Sequence, residues 1–321
     1  MNRMTIRSET PADYAGVARV NALAFGSMEE PILTDVLRHR VRFDPDLSLV
    51  AEMDGQIIGY LLFVPFVARL DGQSVRAVGL SPLAVHPLWQ RRGVGTRLLE
   101  EGHRRAAEKG YVYAFLLGHD TYYPRAGYHT HMFGSVETIV SPDDLPPAGS
   151  TDLEERPVQT DDLPLLRAMW ETWFADVDLA LEPEDSIVEW LSPAKAIRSV
   201  ILEQRGEPVA YVRYEQGKAH SPHLWLARDT RAVPAALDYL ARHAPAGVEA
   251  PALPLHPRSR AVKELLGVPF GERLTVWSAA MIRPLDDGHE ALATYIADVA
   301  AGTRAIGMVI WPTEYQVAQA T

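Results

Sequence analysis

The chain has 321 residues, of which 47% are hydrophobic and 23% charged, and its formal net charge is −11 at pH 7. This length and composition indicate a globular protein of about two domains. The acidic balance argues against a nucleic-acid partner, because phosphate binding requires a basic surface. The chain has no cysteine, which excludes disulfides, thiolate metal sites and cysteine nucleophiles. No apolar run reaches the length of a signal peptide or a membrane helix, so we expect a cytoplasmic protein with no membrane partner.

Apolar periodicity predicts alternating helices and strands in the first half of the chain. Two helices come first, at 13–25 and 30–39. The elements that follow form an α+β plan with a long central sheet. They are strands at 48–53, 56–67 and 74–85, a helix at 93–109, a strand at 111–118, a short tyrosine-rich turn and a strand at 128–140.

The two halves of the chain resemble each other. Residues 144–154, rich in proline, glycine and acid, are predicted to form a linker between units 1–143 and 155–321. The stretch IRSETPADYAGVARV of the first unit matches ERPVQTDDLPLLRAM of the second, and LVAEMDGQIIGYLLF matches VILEQRGEPVAYVRY. We interpret this similarity as a duplicated domain. A helix and a strand over 305–311 are predicted to form a C-terminal tail.

The stretch QRRGVG, residues 90–95, joins a predicted strand to a predicted helix. Gly93 and Gly95 remove side chains from the junction, and the first N–H groups of a helix favour an anion. Arg91 and Arg92 add positive charge. The stretch therefore predicts a diphosphate site held mostly by backbone, and an ordinary glycine turn before a surface helix is the alternative.

The same stretch fits the pattern Gln/Arg-x-x-Gly-x-Gly/Ala and follows the apolar strand GLSPLAV. In this respect the chain resembles the GNAT superfamily of acetyl-CoA-dependent N-acetyltransferases, over residues 4–140. The resemblance implies two tandem GNAT-like domains, each a mostly antiparallel sheet flanked by helices, with acetyl-CoA as cosubstrate and no metal. It also implies that the strand segment Leu83, Ala84 and Val85 contacts the pantetheine arm through its main chain. The motif begins at Gln90, and the implied diphosphate-binding residues are Arg91, Arg92, Gly93, Val94, Gly95 and Thr96.

A second family signature lies in TYYPRAGY, where Tyr123 stands four residues before Gly127. A phenol is protonated at neutral pH and can protonate the coenzyme A thiolate as it leaves. Tyr123 is therefore the predicted general acid, whereas Tyr122 is assigned to aromatic packing. The strand N–H groups near Leu83 and Val85 are expected to polarise the thioester carbonyl.

No general base is assigned. Some family members carry a glutamate on the central strand, but the strand SVRAVGLSPLAV contains no acid. Glu29 and Glu30 are weak candidates for the acceptor region, and His119 is another, with a solvated surface role as the alternative for each. His129 and His131 have strand spacing but no third ligand nearby, so they do not predict a metal site.

The second half lacks both signatures. Ala232–Pro234 replaces the glycine pair, and Lys263 stands where the tyrosine would be. We therefore expect the second unit to shape the acceptor cleft or an oligomer contact rather than to bind coenzyme A. Trp170, Trp173 and Phe174 are candidates for such a cleft, with core packing as the alternative.

The sequence as a whole predicts direct transfer of an acetyl group to a primary amine, because no nucleophile for a covalent intermediate is evident. The acceptor is expected to be a small-molecule or peptide amine, and the net charge favours a cationic one. A homo-oligomer is compatible with the sequence. The alternative function is a non-catalytic sensor that binds acetyl-CoA.

Overall fold

The computed structural model describes residues 4–244 and 251–319, the last three by their backbone alone. The α-helices of these ranges are α1 Tyr14–Phe25, α2 Glu29–Leu37, α3 Val94–Glu108, α4 Leu163–Phe174, α5 Val233–His243, α6 Arg260–Leu265 and α7 Glu290–Ala301. The strands are β1 Thr5–Ser8, β2 Ser48–Met53, β3 Gln56–Leu70, β4 Gln73–Val85, β5 Tyr113–Leu117, β6 Phe133–Ile139, β7 Glu154–Pro157, β8 Ile197–Gln204, β9 Glu207–Glu215, β10 Leu224–Ala227, β11 Ala252–Leu253, β12 Gly271–Val276, β13 Ala280–Pro284 and β14 Gly307–Met308. None of the helices in the described ranges combines the length and the apolar character of a membrane span.

The first sheet has six strands in the order β1-β2-β3-β4-β5-β13. Its neighbours are antiparallel, apart from the parallel pair β4–β5. Helices α1 and α2 pack against one face of this sheet through Val17, Leu33 and Leu37. Helix α3 packs against the other face. Helices on both faces of a mostly antiparallel sheet confirm the predicted α+β class.

Helix α3 follows directly from its sequence. The buried residues repeat at helical spacing and are Val94, Leu98, Leu99, Gly102, His103 and Ala106. Gly102 lets the helix approach the sheet closely, because a Cβ there would lie 2.8 Å from Cε2 of Phe63. The helix ends at Glu108 with Lys109 as its C-cap, and Gly110 adopts a left-handed φ of 77°. The packing fixes where the N-terminus of α3 meets the sheet.

The two halves of the chain are interleaved. Strand β13, from the second half, completes the first sheet by pairing with β5. Strand β6, from the first half, pairs with β11, β12 and β14 in a separate sheet. Strands from both sides of the predicted linker therefore share sheets, and units 1–143 and 155–321 are not separate sheet systems.

Two predicted strands are shorter than expected. The strand predicted over 128–140 begins at Phe133, because His131 has a φ of 64° that no regular strand accommodates. His129 makes an isolated bridge to Ile282. The tail strand predicted over 305–311 is reduced to Gly307–Met308, which pairs with β6.

The internal similarity of the chain extends to its ion pairs. In the first half, Arg7 binds Asp13 at 2.7 and 2.8 Å, and its Nε donates to Glu52 at 2.9 Å. In the second half, Arg156 binds Asp162 at 2.7 Å through both terminal nitrogens, and its Nε donates to Glu203 at 2.5 Å. Both hairpins also turn through a left-handed residue followed by a left-handed glycine, at 54–55 and at 205–206. These repeated details support the proposal of a duplicated domain.

A buried ionic cluster joins the halves. Arg40, which follows α2, contacts Glu184, Glu189 and Glu314 at 3.1, 2.6 and 2.9 Å. Burial raises the pKa of Glu189, Arg40 lowers it, and Glu314 and Glu184 raise it again, to about 7. Three carboxylates around one guanidinium leave excess negative charge in a buried place, so one proton is favoured there.

We expect Glu189→Gln to stabilise the protein at about pH 8, because the amide still accepts from Arg40 without adding charge. The folded-state pKa of Glu189 is above its ordinary value, so its stabilising contribution is full below about pH 4.5 and is lost as pH rises through about 7. The free energy of unfolding of Glu189→Gln should exceed that of the wild type by about 1–2 kcal/mol at about pH 8 and match it near pH 5. Urea unfolding at the two pH values tests this. Glu171→Gln, at an exposed ion pair, is the control, and a variant less stable than the wild type at pH 8 would contradict the prediction.

Candidate functional site

Strands β4 and β5 separate in the middle of the first sheet. Their parallel pairing covers Ala77–Gly79 of β4 and Tyr113–Phe115 of β5. Beyond these residues, β5 stays paired with β13, while β4 stays paired with β3 through a bulge between Leu80 and Leu83. The two strands therefore leave a gap, and one edge of the β4 segment 80–85 faces it.

A cavity of about 760 Å³ lies at this gap, and we call it the loop cavity. It runs from the β4 segment to the N-terminus of α3 and to the turn after β5. Its size falls within the range of small-molecule and cofactor sites. The lining residues are Ala24, Phe25, Glu30, Leu33, Ser81, Pro82, Leu83, Val85, Trp89, Gln90, Arg91, Gly93, Val94, Gly95, Thr96, Leu117, Gly118, His119, Thr121, Tyr122 and Tyr123.

The N-terminus of α3 is open to this cavity. Gly93 is its N-cap, with a φ of 79°, and no side chain caps the first turn. A Cβ on Gly93 would meet no atom within 4 Å. The N–H groups of the first turn therefore face free space, where they and the helix dipole favour an anion.

Positive charge surrounds the same helix end. Arg91 and Arg97 are exposed and form no ion pair in the described part of the chain. Arg92 lies over the ring of Trp89, with 5.1 Å from Cζ to the ring centroid. In a chain with a net charge of −11, this concentration of arginine favours an anionic ligand at the loop.

Tyr123 lies at the other end of the cavity. Its ring packs edge-on against Tyr122 and Tyr128, with centroids 5.1 and 5.7 Å away. A Cβ on Gly118 would clash with this ring, so the glycine makes room for the tyrosine. Burial, followed by the neighbouring Tyr122, raises the pKa of Tyr123 above its usual range. The hydroxyl makes no hydrogen bond within residues 4–244 and 251–319, so no described protein group engages it.

A polar network behind Tyr123 holds it in place. Tyr128 contacts His103 at 2.9 Å, and Arg283 of β13 donates to the Nδ1 of His103. Burial, followed by the charge of Arg283, lowers the pKa of His103 to about 3. The neutral ring therefore keeps its proton on Nε2 and donates to the Tyr128 hydroxyl. This network has no local signal in the sequence, because Arg283 lies far along the chain from His103 and Tyr128.

A second cavity, of about 460 Å³, adjoins the first, and we call it the junction cavity. Ser81 and Leu117 line both cavities. The remaining residues come from both halves of the chain. They are Leu80, Gly134, Ser135, Val136, Glu137, Arg213, His223, Pro254, Trp277, Met308, Val309, Ile310, Trp311, Tyr315 and Gln316. The gap between β4 and β5 thus connects an anion-favouring cavity to a second chamber.

The loop cavity brings together most of the sequence-predicted site. The predicted cofactor residues that line it are Leu83, Val85, Gln90, Arg91, Gly93, Val94, Gly95 and Thr96. Ala84 is buried and does not line the cavity, because strand side chains alternate between faces. Arg92 stacks on Trp89 outside the lining. Glu30 and His119 line the cavity, whereas Glu29 does not.

Tyr122 packs against the core, as the sequence predicts, and it also lines the loop cavity. Its hydroxyl lies 2.8 Å from where a Cβ of Gly95 would stand. Gly95 therefore makes room for this hydroxyl at the start of α3. Sequence alone does not show which of two consecutive tyrosines turns toward the loop.

The corresponding region of the second half is closed by packing. Ala232 and Val233, at the start of α5, are 3% and 1% exposed, and Pro234 occupies the first turn. The aromatic candidates Trp170, Trp173 and Phe174 are buried in the core. Within the described ranges, no group of histidine and acid residues has the arrangement of a metal site.

Comparison with known proteins agrees with this geometry. Residues 5–131 match the family model of the acetyltransferase (GNAT) domain. The uncharacterized N-acetyltransferase YjhQ of Escherichia coli K12 is 34% identical over 128 residues, which cover 40% of this chain and 71% of that protein. The uncharacterized N-acetyltransferase YhbS of the same strain is 33% identical over 128 residues, 39% of this chain and 73% of that protein.

A likeness to a solved structure extends over most of the chain. The crystal structure of a GCN5-related N-acetyltransferase from Kribbella flavida has a TM-score of 0.65 and 22% identity. The match covers 89% of this chain and 72% of that one. At this identity the likeness concerns the fold, and it includes the second half of the chain.

The chain belongs to the GNAT acetyltransferase family. It is accordingly an acyltransferase, and its cosubstrate is acetyl-CoA. The resemblance inferred from the loop and the tyrosine signature is thereby confirmed.

Proposed function

We propose that the loop cavity binds acetyl-CoA and that the enzyme transfers the acetyl group directly to a primary amine. One observation carries the proposal: a single cavity is lined both by the open N-terminus of α3 and by Tyr123. The diphosphate would lie at Gly93–Thr96 beside Arg91. The pantetheine arm would follow the free edge of the β4 segment around Leu83 and Val85.

The reaction that this arrangement supports has one covalent step. The amine nitrogen attacks the thioester carbon, the new C–N bond forms, and the C–S bond breaks. Tyr123 donates its proton to the departing sulfur, and the phenolate is reprotonated by a proton that the amine sheds. Backbone N–H groups at the β4 edge would stabilise negative charge on the carbonyl oxygen. The products are an amide and free coenzyme A.

We expect acetyl-CoA to bind with one equivalent per chain. Among the helices of the described ranges, α3 offers an open N-terminus capped by glycine, whereas the corresponding helix α5 begins with buried side chains and a proline. Calorimetric titration of the full chain measures this stoichiometry. Release of free thiol in the presence of an amine panel then measures transfer. Two equivalents would mean that the second half also binds the coenzyme, and no binding would remove the proposal.

A further inference from the structure

The junction cavity contains a buried cation without an acid partner. Arg213, on β9, is 3% exposed. One terminal nitrogen donates to the Trp311 carbonyl at 3.4 Å, and its Nε has no hydrogen-bond partner. Within the described residues it forms no ion pair. Burying a guanidinium in this way is costly unless something else satisfies it.

An acid that senses the charge of Arg213, Glu189, is bound to another arginine. The charge of Arg213 lowers the pKa of Glu189, although burial and other charges keep that pKa raised. The Glu189 carboxylate, however, is bound to Arg40 at 2.6 Å. The other carboxylate that lines the cavity, Glu137, is bound to Arg273 at 2.6 Å. Both acids therefore contact other arginines, and neither forms an ion pair with Arg213.

His223 adds a second donor beside Arg213. Its backbone N–H donates to the Arg213 carbonyl at 2.7 Å, so the two residues are adjacent. The Nε2 amide group of Gln316 lies 2.8 Å from His223 Nδ1 and can only donate, so Nδ1 accepts. Burial, followed by the charge of Arg213, lowers the pKa of His223, which keeps the ring neutral with its proton on Nε2. This end of the cavity therefore presents donors to an anion.

The rest of the cavity is largely apolar. Aromatic rings of Trp277, Trp311 and Tyr315 line it, together with Met308 and Ile310. Trp311 and Tyr315 pack with ring centroids 4.9 Å apart, which keeps that wall rigid. An apolar wall with a few fixed donors at one end is typical of a site for a small amphiphilic molecule.

We propose that the acceptor is a small amine that also carries a carboxylate, which binds to Arg213 in the junction cavity. The apolar body of the acceptor lies against Trp277 and Trp311. Its amine points to the gap at Ser81 and Leu117, where the two cavities meet. This inference rests on the proposed acetyl transfer, because the thioester must reach that gap from the loop cavity. A guanidinium suits a carboxylate because both are planar and can share two hydrogen bonds.

The test compares matched acceptors in the thiol-release assay with saturating acetyl-CoA. The panel consists of the protein amino acids and short ω-amino acids, each beside its carboxamide and its decarboxylated amine. At least one amino acid should show a kcat/KM about 100-fold or more above that of its carboxamide, because a buried donor rejects a ligand that leaves it unpaired. Arg213→Gln should remove this preference, lowering kcat/KM for the acid about 100-fold while leaving the amide nearly unchanged.

Two further variants keep the result interpretable. Arg198→Gln, at an exposed arginine on the neighbouring strand β8, should preserve the preference for the acid. Arg213→Lys retains the charge but loses the paired hydrogen bonds, so it should give an intermediate preference. Calorimetry of acetyl-CoA with each variant checks that the loop cavity is intact.

The outcomes separate the two proposals. A wild-type protein that does not bind acetyl-CoA contradicts the proposed function itself. A protein that binds acetyl-CoA but accepts no carboxylate-bearing amine, or accepts amides and plain amines equally well, contradicts the acceptor assignment alone. The acceptor assignment is also contradicted if Arg213→Gln lowers kcat/KM for the amino acid and for its carboxamide by equal factors.

Discussion

Gly93→Glu is expected to weaken acetyl-CoA binding by about 100-fold or more, because it places a carboxylate at the diphosphate. Gly93 caps α3 in a left-handed conformation, and the space around its Cβ position is open. The new Cβ would therefore meet no protein atom within 4 Å, and the carboxylate beyond it would compete with the diphosphate for the anion site. It would also neutralise part of the charge that Arg91 supplies.

The matched control for this variant is Gly72→Glu. Gly72 has a φ of 72°, and a Cβ there would likewise meet nothing within 4 Å, but it lies in the turn between β3 and β4. Both substitutions force a side chain into a left-handed conformation at about 1 kcal/mol. Calorimetry with acetyl-CoA, together with thermal unfolding, separates lost binding from lost stability. Equal affinity of the two variants would show that the diphosphate does not lie at α3.

Tyr123→Phe is expected to lower kcat by about 100-fold or more while the KM for acetyl-CoA changes little, because the variant removes only a proton donor. The ring that packs against Tyr122 and Tyr128 is retained. The loss should be largest for the amine that the wild type uses best. Steady-state kinetics of thiol release measures both constants.

Two other tyrosines make the comparison specific. Tyr111→Phe removes the hydroxyl of a buried tyrosine outside the loop cavity and should leave kcat unchanged. Tyr122→Phe removes a hydroxyl near Gly95 and should affect the KM for acetyl-CoA more than kcat. Full kcat in Tyr123→Phe would exclude a catalytic role for its hydroxyl. If Tyr123→Phe still binds acetyl-CoA and no amine shows turnover that depends on this tyrosine, the results would favour the alternative of a non-catalytic sensor.

The raised pKa of Tyr123 also sets the pH dependence of the reaction. A general acid works only while it is protonated, and burial favours the neutral phenol. Its acid form should therefore persist beyond about pH 10, and kcat should show no decline from this group between about pH 7 and 10. A wild-type decline in that range that is missing from Tyr123→Phe would contradict the raised pKa.

Features set by neighbouring residues were predictable from the sequence. The open helix start needs only Gly93 and Gly95 next to an amphipathic run. The hairpin at 54–55 needs only a turn whose residues accept a positive φ. The acid candidate Tyr123 follows from its register to Gly127. In each case the residues that determine the feature lie within a few positions of it in the sequence.

Features set by distant pairing were not predictable. Nothing in the apolar pattern of 280–284 shows that this strand completes the first sheet rather than a sheet of its own half. The junction cavity depends on that pairing and on the pairing of β6 with β12, so no local motif predicts the cavity. In the sequence, Arg213 is a charged residue on a predicted hairpin strand. Only the tertiary structure shows that its side chain is buried without an acidic partner among the described residues.

The pairing of β5 with β13 has a consequence for biosynthesis. During synthesis, residues 113–117 of β5 can pair with β13 only after the ribosome has added about 160 more residues. A ribosome adds roughly 5–20 residues per second, so the edge of β5 stays unpaired for about ten to thirty seconds. An exposed strand edge during that interval can pair with another nascent chain. The strand that carries Leu117, at the meeting point of the two cavities, therefore gains its second neighbour late in synthesis, when β13 is made.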